Sequence, residues 1–246
     1  MTIDQTPENR PAAIVTGAGS GIGRATALAL HKAGYRVALV GRTASKLTET
    51  GAQLGARGTD WEAVPADVSY APAARRIVSR VVSLWGRLDA LVNNAGSTPL
   101  TPLAQADDRE ILEVFQLNAI GPIASTVEAI PHLLDSASRG GPAVVVNVSS
   151  MASGDPFPGL GVYGCAKASV NTLARAVATE HGEAGLRAFS VAPGAVETPL
   201  LRSMFDASAI PSESTLAPED VTEHIMHCVN GTTTEANGAT IWVPSP

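Results

Sequence analysis

Ile14-Val-Thr-Gly-Ala-Gly-Ser-Gly-Ile-Gly23 is the stretch on which the reading of this chain turns. It begins apolar and β-branched, then places glycine at 17, 19, 21 and 23, and runs on as Ile22-Gly-Arg-Ala-Thr-Ala-Leu28. The order is strand, glycine turn, helix start. The turn is not G-x-G-x-x-G, because counting from Gly17 or Gly19 puts Ile22 or Arg24 at the last position. It fits Gly17-x-x-x-Gly21-x-Gly23 instead. The physical task is the same. The backbone must approach a pyrophosphate closely, and a helix N-terminus offers free N–H groups and a partial positive charge. A dinucleotide site is expected here; the competing reading is a bare tight turn.

Outward from this turn, short β-branched runs alternate with longer amphipathic segments. Strands are expected near 12–16, 36–41, 61–66, 88–93, 142–149, 186–192 and 239–243, and helices near 21–33, 44–54, 71–86, 107–138, 160–182 and 218–230. Runs such as Arg36-Val-Ala-Leu-Val40 and Ala143 to Val148 are almost wholly apolar, as befits strands covered on both faces. Such alternation predicts an α/β fold with right-handed crossovers and a parallel sheet. No repeat, low-complexity tract or linker divides the chain, so residues 1–246 are expected to form one doubly wound (Rossmann) domain. Pro122 and Pro131 fall inside the segment 107–138, which predicts a kink near Asn118 to Pro122. The weakly patterned stretch near 199–216 reads as a short substrate lid.

Composition narrows the class. The chain has 246 residues, 45% of them hydrophobic and only 4% aromatic, enough for a substantial core. A net charge of −6 argues against nucleic acid and anionic membranes as partners. Two cysteines, Cys165 and Cys228, give neither a disulfide framework nor a zinc spacing. Met1 to Arg10 is polar and lacks the apolar core of a secretory leader, and no apolar run approaches the ~20 residues that span a bilayer. A cytoplasmic location is expected.

Tyr163 and Lys167 lie four residues apart, about one helical turn, on the same face if the stretch is helical. An ammonium beside a phenol favours the phenolate, so the tyrosine pKa is expected below its usual value near 10. Ser150 lies thirteen residues before Tyr163, at the end of an apolar run. Ser149 is the neighbouring alternative, but side chains alternate along a strand. A glycine turn with this acid–base cluster predicts a nucleotide pocket with proton chemistry at its mouth.

Taken together, these residues resemble the short-chain dehydrogenase/reductase family over residues 12–199. Thr16 to Gly23 resembles its cofactor turn, Asp67-Val68 its adenine-side acid, and Leu88-Asp-Ala-Leu-Val-Asn-Asn-Ala-Gly96 its fourth-strand motif. Asn118 stands where the family has its helix asparagine, Ser150, Tyr163 and Lys167 match its catalytic spacing, and Pro193-Gly194 with Thr198 matches its nicotinamide-side turn. The resemblance implies about seven strands in the order 3-2-1-4-5-6-7. It implies cofactor contacts from Gly17, Ser20, Gly21, Ile22, Gly23, Arg42, Asp67, Val68, Asn94, Ala95, Gly96, Tyr163, Lys167, Pro193, Gly194, Val196 and Thr198. Tyr163 would be the general acid or base, Lys167 its electrostatic partner, Ser150 a donor to the substrate oxygen, and Asn118 the anchor of a proton path through water. For Asn118 a satisfied buried asparagine is the alternative, and for Asp67 a turn aspartate.

Cofactor choice rests on Gly41-Arg42, where an NAD site would carry an acid for the ribose hydroxyls. A guanidinium pairs with a 2′-phosphate, so NADP(H) is expected over NAD(H), the alternative being Arg42 stacked on adenine. By the resemblance, the substrate pocket would draw on Ser150, Met151, Phe157, Leu201, Met204 and Phe205, a set that favours a small uncharged ketone, aldehyde or alcohol. A carrier-protein-linked ketone is less favoured, because Gly121 to Ser138 has no lysine or arginine. No metal is expected: His224 and His227 lack companions, and Cys165 is expected to pack away from Tyr163. A homodimer or homotetramer is expected through helices 107–138 and 160–182, the dimer favoured because the chain ends Ile241-Trp-Val-Pro-Ser-Pro246 instead of the family's usual tail. The competing reading from another class is a dinucleotide-binding regulator without catalysis.

Overall fold

The computed structural model describes residues 10–246; the reading of residues 1–9 lies outside them. Seven strands form one parallel sheet: β1 (Ala12–Thr16), β2 (Arg36–Gly41), β3 (Trp61–Pro65), β4 (Ala90–Asn93), β5 (Val144–Val148), β6 (Arg187–Pro193) and β7 (Thr240–Val243). Their order is β3-β2-β1-β4-β5-β6-β7, as expected from the sequence. The helices are α1 (Gly21–Lys32), α2 (Ala44–Gly51), α3 (Pro72–Trp85), α4 (Asp108–Phe115), α5 (Gly121–Ser138), α6 (Gly161–His181), α7 (Pro199–Met204) and α8 (Pro218–Asn230).

Both sheet faces are buried, which explains the continuous apolar strands. Alternate strand residues point opposite ways. Val15, Leu39, Val146 and Val191 pack with Leu30 of α1, Leu47 of α2 and Ile225 of α8. Ile14, Val40, Val145 and Ala188 pack on the other side with Ile77 of α3, Leu133 of α5 and Val177 of α6. Parallel strands bring the segments that leave their C-terminal ends to one rim. The order reverses between β1 and β4, and there the diverging crossovers leave a crevice.

The segment expected as one kinked helix over 107–138 is two helices joined by a π-helical turn at Gln116–Ile120. Pro122 follows directly on this turn: Ile120 and Gly121 keep helical dihedrals, so the proline sits within a continuous helical run and its missing N–H falls where the ladder widens, while Pro131 is accommodated inside α5. The widened turn coincides with the fully buried Asn118. The 199–216 stretch contains the short α7, followed by loop.

Candidate active site

The glycine turn folds as its task demands. Gly17 has φ +69°, open to glycine at little cost. A Cβ at Gly23 would lie 2.3 Å from the Gly17 carbonyl oxygen and 2.4 Å from Asn94 Nδ2, so only glycine lets α1 begin this close to β1. Ser20 precedes α1 with its side chain making no cap hydrogen bond. Asn94 Nδ2 donates to the Thr16 oxygen at 2.8 Å, and Asn93 Nδ2 to Asn147 Oδ1 at 2.9 Å, tying the turn and the β4–β5 rim together.

A cleft of about 590 Å³ runs along this rim. Its lining includes Gly17, Ser20, Gly21, Ile22, Arg42, Asp67, Val68, Asn94, Ala95, Gly96, Pro193, Gly194, Val196 and Thr198. At its other end it includes Ser150, Tyr163, Lys167, Met151, Phe157, Leu201, Met204 and Phe205. Two of the residues singled out in the sequence do not line it. Gly23 is buried beneath the turn. Asn118 is buried behind Gly96, where a Cβ would lie 2.8 Å from Asn118 Oδ1 and 3.3 Å from Lys167 Nζ. Asn118 Nδ2 donates to the oxygens of Val114 and Ser97, both at 2.8 Å, and its Oδ1 accepts from the Ser97 N–H at 3.3 Å.

At the other end of the cleft, the Ser150 hydroxyl accepts the Ala152 N–H at 3.2 Å and lies near enough to the Tyr163 phenol to favour its ionised form. Ser149 points the other way and donates to the Lys167 main-chain oxygen at 3.2 Å. Lys167 Nζ donates to the Val148 oxygen at 2.7 Å and lies 5.6 Å from the centre of the Tyr163 ring. The expected lowering of the tyrosine pKa is therefore overturned for this state. Burial pushes Tyr163 up to about 12, with the Ser150 hydroxyl pulling only partly back. Burial also drives Lys167 down to about 8, so the cation that was to favour the phenolate is itself disfavoured.

Asp67 lines the cleft and accepts the N–H and hydroxyl of Ser69 on Oδ1, at 2.9 and 2.7 Å, bonds that lower its pKa. One expectation is corrected by local geometry. Cys165, expected to pack, is exposed, because α6 is uncovered opposite Tyr163. Among the described residues no group of three or more His, Cys, Asp or Glu could hold a metal ion. Among the described residues no helix is long and apolar enough to cross a membrane.

Among the lining residues that escaped the sequence reading are Thr43, Lys46 and Ser245. Lys46 packs its stem over Gly19, where a Cβ would come within 2.9 Å of it. A second cation four residues after Arg42 at a helix start was the available signal. Ser245 reaches the cleft because the chain crosses Gly194 after β7, and no local pattern announces that. The lid is fastened to the same rim. Arg202 pairs through both ends of its guanidinium with Glu197 and donates to the Ile210 oxygen at 2.8 Å. Phe157 and Phe205 meet edge to face at 5.8 Å.

These residues fit a dinucleotide. Glycines at 17 and 23 keep side chains out of the cradle, and the start of α1 lines the cleft with the Ser20 hydroxyl unengaged. A Rossmann sheet, a phosphate cradle and a Ser-Tyr-Lys cluster define a class, the dinucleotide-dependent oxidoreductases. The family model described as short chain dehydrogenase matches residues 11–209. A protein of Streptomyces violaceoruber named "Granaticin polyketide synthase putative ketoacyl reductase 2" is 38% identical over 235 residues, covering 91% of each chain. The 3-ketoacyl-(acyl-carrier-protein) reductase of Brucella melitensis, solved with NADH, is 29% identical with a TM-score of 0.87, covering 95% of this chain and 96% of its own. An alcohol dehydrogenase of Thermococcus sibiricus, solved with 5-hydroxy-NADP, is 26% identical with a TM-score of 0.81, covering 95% of each. The chain belongs to the short-chain dehydrogenase/reductase family and is an NAD(P)-dependent dehydrogenase/reductase.

Proposed function

We propose that this protein is an NADP-dependent carbonyl reductase that interconverts a small uncharged ketone or aldehyde with its alcohol. The observation that carries this reading is the convergence of the Ser150 hydroxyl, the Tyr163 phenol and Lys167 at one end of a cleft whose other end is a phosphate cradle. When bound, the nicotinamide supplies or accepts a hydride. Tyr163 hands its proton to the substrate oxygen in reduction and takes one in oxidation. A phenol held near 12 is fully protonated at neutral pH and suits the donor role. Ser150 donates to the oxygen as charge builds there. Lys167 and the buried Asn118 hold the floor behind Gly96 and carry the proton path onward. Met151, Phe157, Leu201, Met204 and Phe205 supply an apolar wall for the substrate.

NADP(H) is favoured over NAD(H) because Arg42 and Lys46 both line the adenosine end with side chains that make no hydrogen bond or ion pair among the described residues, Arg42 acting on Asp67 only through its charge. Thr43, which precedes α2, likewise leaves its hydroxyl uncommitted to capping. The similarity to the granaticin ketoacyl reductase favours a second substrate reading, a β-keto acyl group. Assembly as a homodimer or homotetramer is supported by the exposed apolar side chains Leu112, Ile120, Ile123 and Val127 on α4, the π turn and α5. A cytoplasmic location is part of the same proposal.

The test is a panel of ketones, aldehydes and β-keto esters with NADPH and with NADH, followed at the reduced-nicotinamide absorbance. Tyr163→Phe should bind dinucleotide as the parent does and lose about 10²–10⁴ in turnover. Substantial turnover by that variant removes Tyr163 from the chemistry. Cofactor binding with no turnover across the panel would favour a non-catalytic regulator, and tighter binding of NADH than NADPH would reverse the cofactor reading.

A further inference from the structure

We propose that Asn171 is a positioning residue that fixes the Ser150 hydroxyl against the Tyr163 phenol, acting through Ser153. The inference rests on the reading of Ser150 and Tyr163 as the reacting pair. Tyr163, Lys167 and Asn171 follow one another at four-residue spacing along one face of α6. Asn171 Nδ2 donates to Ser153 Oγ at 2.9 Å, and Ser153 Oγ donates to the Ser150 main-chain oxygen at 2.6 Å. The Ser153 N–H donates to the same oxygen at 3.0 Å. On the other side of Ser150, the Ser149 hydroxyl is tied to the Lys167 main-chain oxygen. The loop leaving β5 is thus held to α6 on both flanks of Ser150, by the helix that carries Tyr163.

Asn171 is buried, and its Oδ1 has no partner among the described residues. A buried amide with one function unmet is costly, and an apolar side chain would avoid that cost. The bond made by its Nδ2 is the feature that an apolar side chain could not reproduce. Losing it would let the Ser150 loop shift relative to the phenol, and sub-ångström placement of reacting groups governs rate.

Asn171→Ala, Ser153→Ala and Ser153→Thr are made in the parent and in Ser150→Ala. Turnover is measured with ethyl acetoacetate and NADPH. A second readout needs no turnover: the Tyr163 Cζ NMR resonance of isotope-labelled protein, assigned against Tyr163→Phe, which reports the phenol's hydrogen bond. Asn171→Ala and Ser153→Ala should lower kcat by about 10- to 100-fold without changing the dinucleotide Kd. They should move the Cζ resonance in the same direction as Ser150→Ala does, and Ser153→Thr should restore both readouts. In the Ser150→Ala background Asn171→Ala should add nothing. Equal losses from Asn171→Ala with and without Ser150, or an unmoved resonance beside a lowered Tm, would overturn the proposal. Should Asn171→Ala fail to fold, the Ser153 variants carry the same comparison. If Ser150→Ala itself changes neither readout, the reading of Ser150 fails and this inference with it. If Ser150→Ala acts and neither the Asn171 nor the Ser153 variants do, only the inference falls.

Discussion

The Lys167 ammonium donates its hydrogen bond to the main-chain oxygen of Val148, 2.7 Å away, in a pocket that leaves the lysine almost no solvent. Burial draws its pKa from 10.5 to about 8. Between those values the unfolded chain holds a proton that the folded chain has released, so stability rises with pH across the window and is lost as pH falls through about 8. Denaturant titrations of the parent and Lys167→Met should show their stability difference shifting in the parent's favour over this window, by on the order of 3 kcal/mol. A difference that stays flat with pH rejects the buried-lysine account.

Gly23 faces the Gly17 carbonyl so closely that no side chain fits. Gly23→Ala should destabilise the protein by about 1–3 kcal/mol and weaken dinucleotide binding, as the start of α1 is forced off β1. Thermal melts with and without NADPH check both. A variant with parental Tm and parental Kd would show that the turn adapts.

Arg42 and Lys46 make opposite predictions for the two dinucleotides. Arg42→Glu should raise the NADPH Kd by about 10- to 100-fold, the worth of one charge-assisted hydrogen bond, and leave NADH binding unchanged or tighter. Lys46→Glu should act in the same sense and more weakly, its ammonium lacking the planar fork. Calorimetric titration decides; parallel weakening of both cofactors would point to stacking on adenine instead.

Much of this was legible in the sequence because it is local. The glycine turn, the apolar runs and the Tyr163–Lys167 spacing each lie within a few residues, and the observed strand order matches the expected one. What was illegible depends on chain segments meeting from afar. Lys46 reaches the cleft by packing over Gly19, and Ser245 by crossing Gly194. The phenol's pKa was misjudged because spacing reveals a neighbouring charge and not the burial that outweighs it. Pro122 marked the place of the irregularity, but residue type did not announce that it takes the form of a widened turn at Gln116–Ile120.

Asp89 anchors the opposite end of the sheet. It is fully buried, accepts the Ala12 N–H at 2.7 Å, pairs with Arg87 and receives the Ser136 hydroxyl. Asp89→Asn should cost about 1–3 kcal/mol, because it removes the charge from the acceptor that the Ala12 N–H, the Ser136 hydroxyl and Arg87 share. The cluster lies where β1 and β4 begin, away from the rim that bears the cleft, so kcat of the folded fraction should be unchanged. A lowered Tm with parental kcat is the expected pattern; a specific loss of kcat would reveal coupling between the two ends of the sheet.

The π turn sets a requirement on length. Each residue advances an α-helix by about 100°, so a chain one residue shorter between 116 and 120 could close an ordinary helical ladder while swinging α4 around its axis. Asn118 would leave Ser97, and the backbone behind Gly96 would lose its support, although no other amino acid had changed. In this segment rotational phase is a heritable property in its own right, and a single codon deletion could silence the enzyme while its helical content stayed the same.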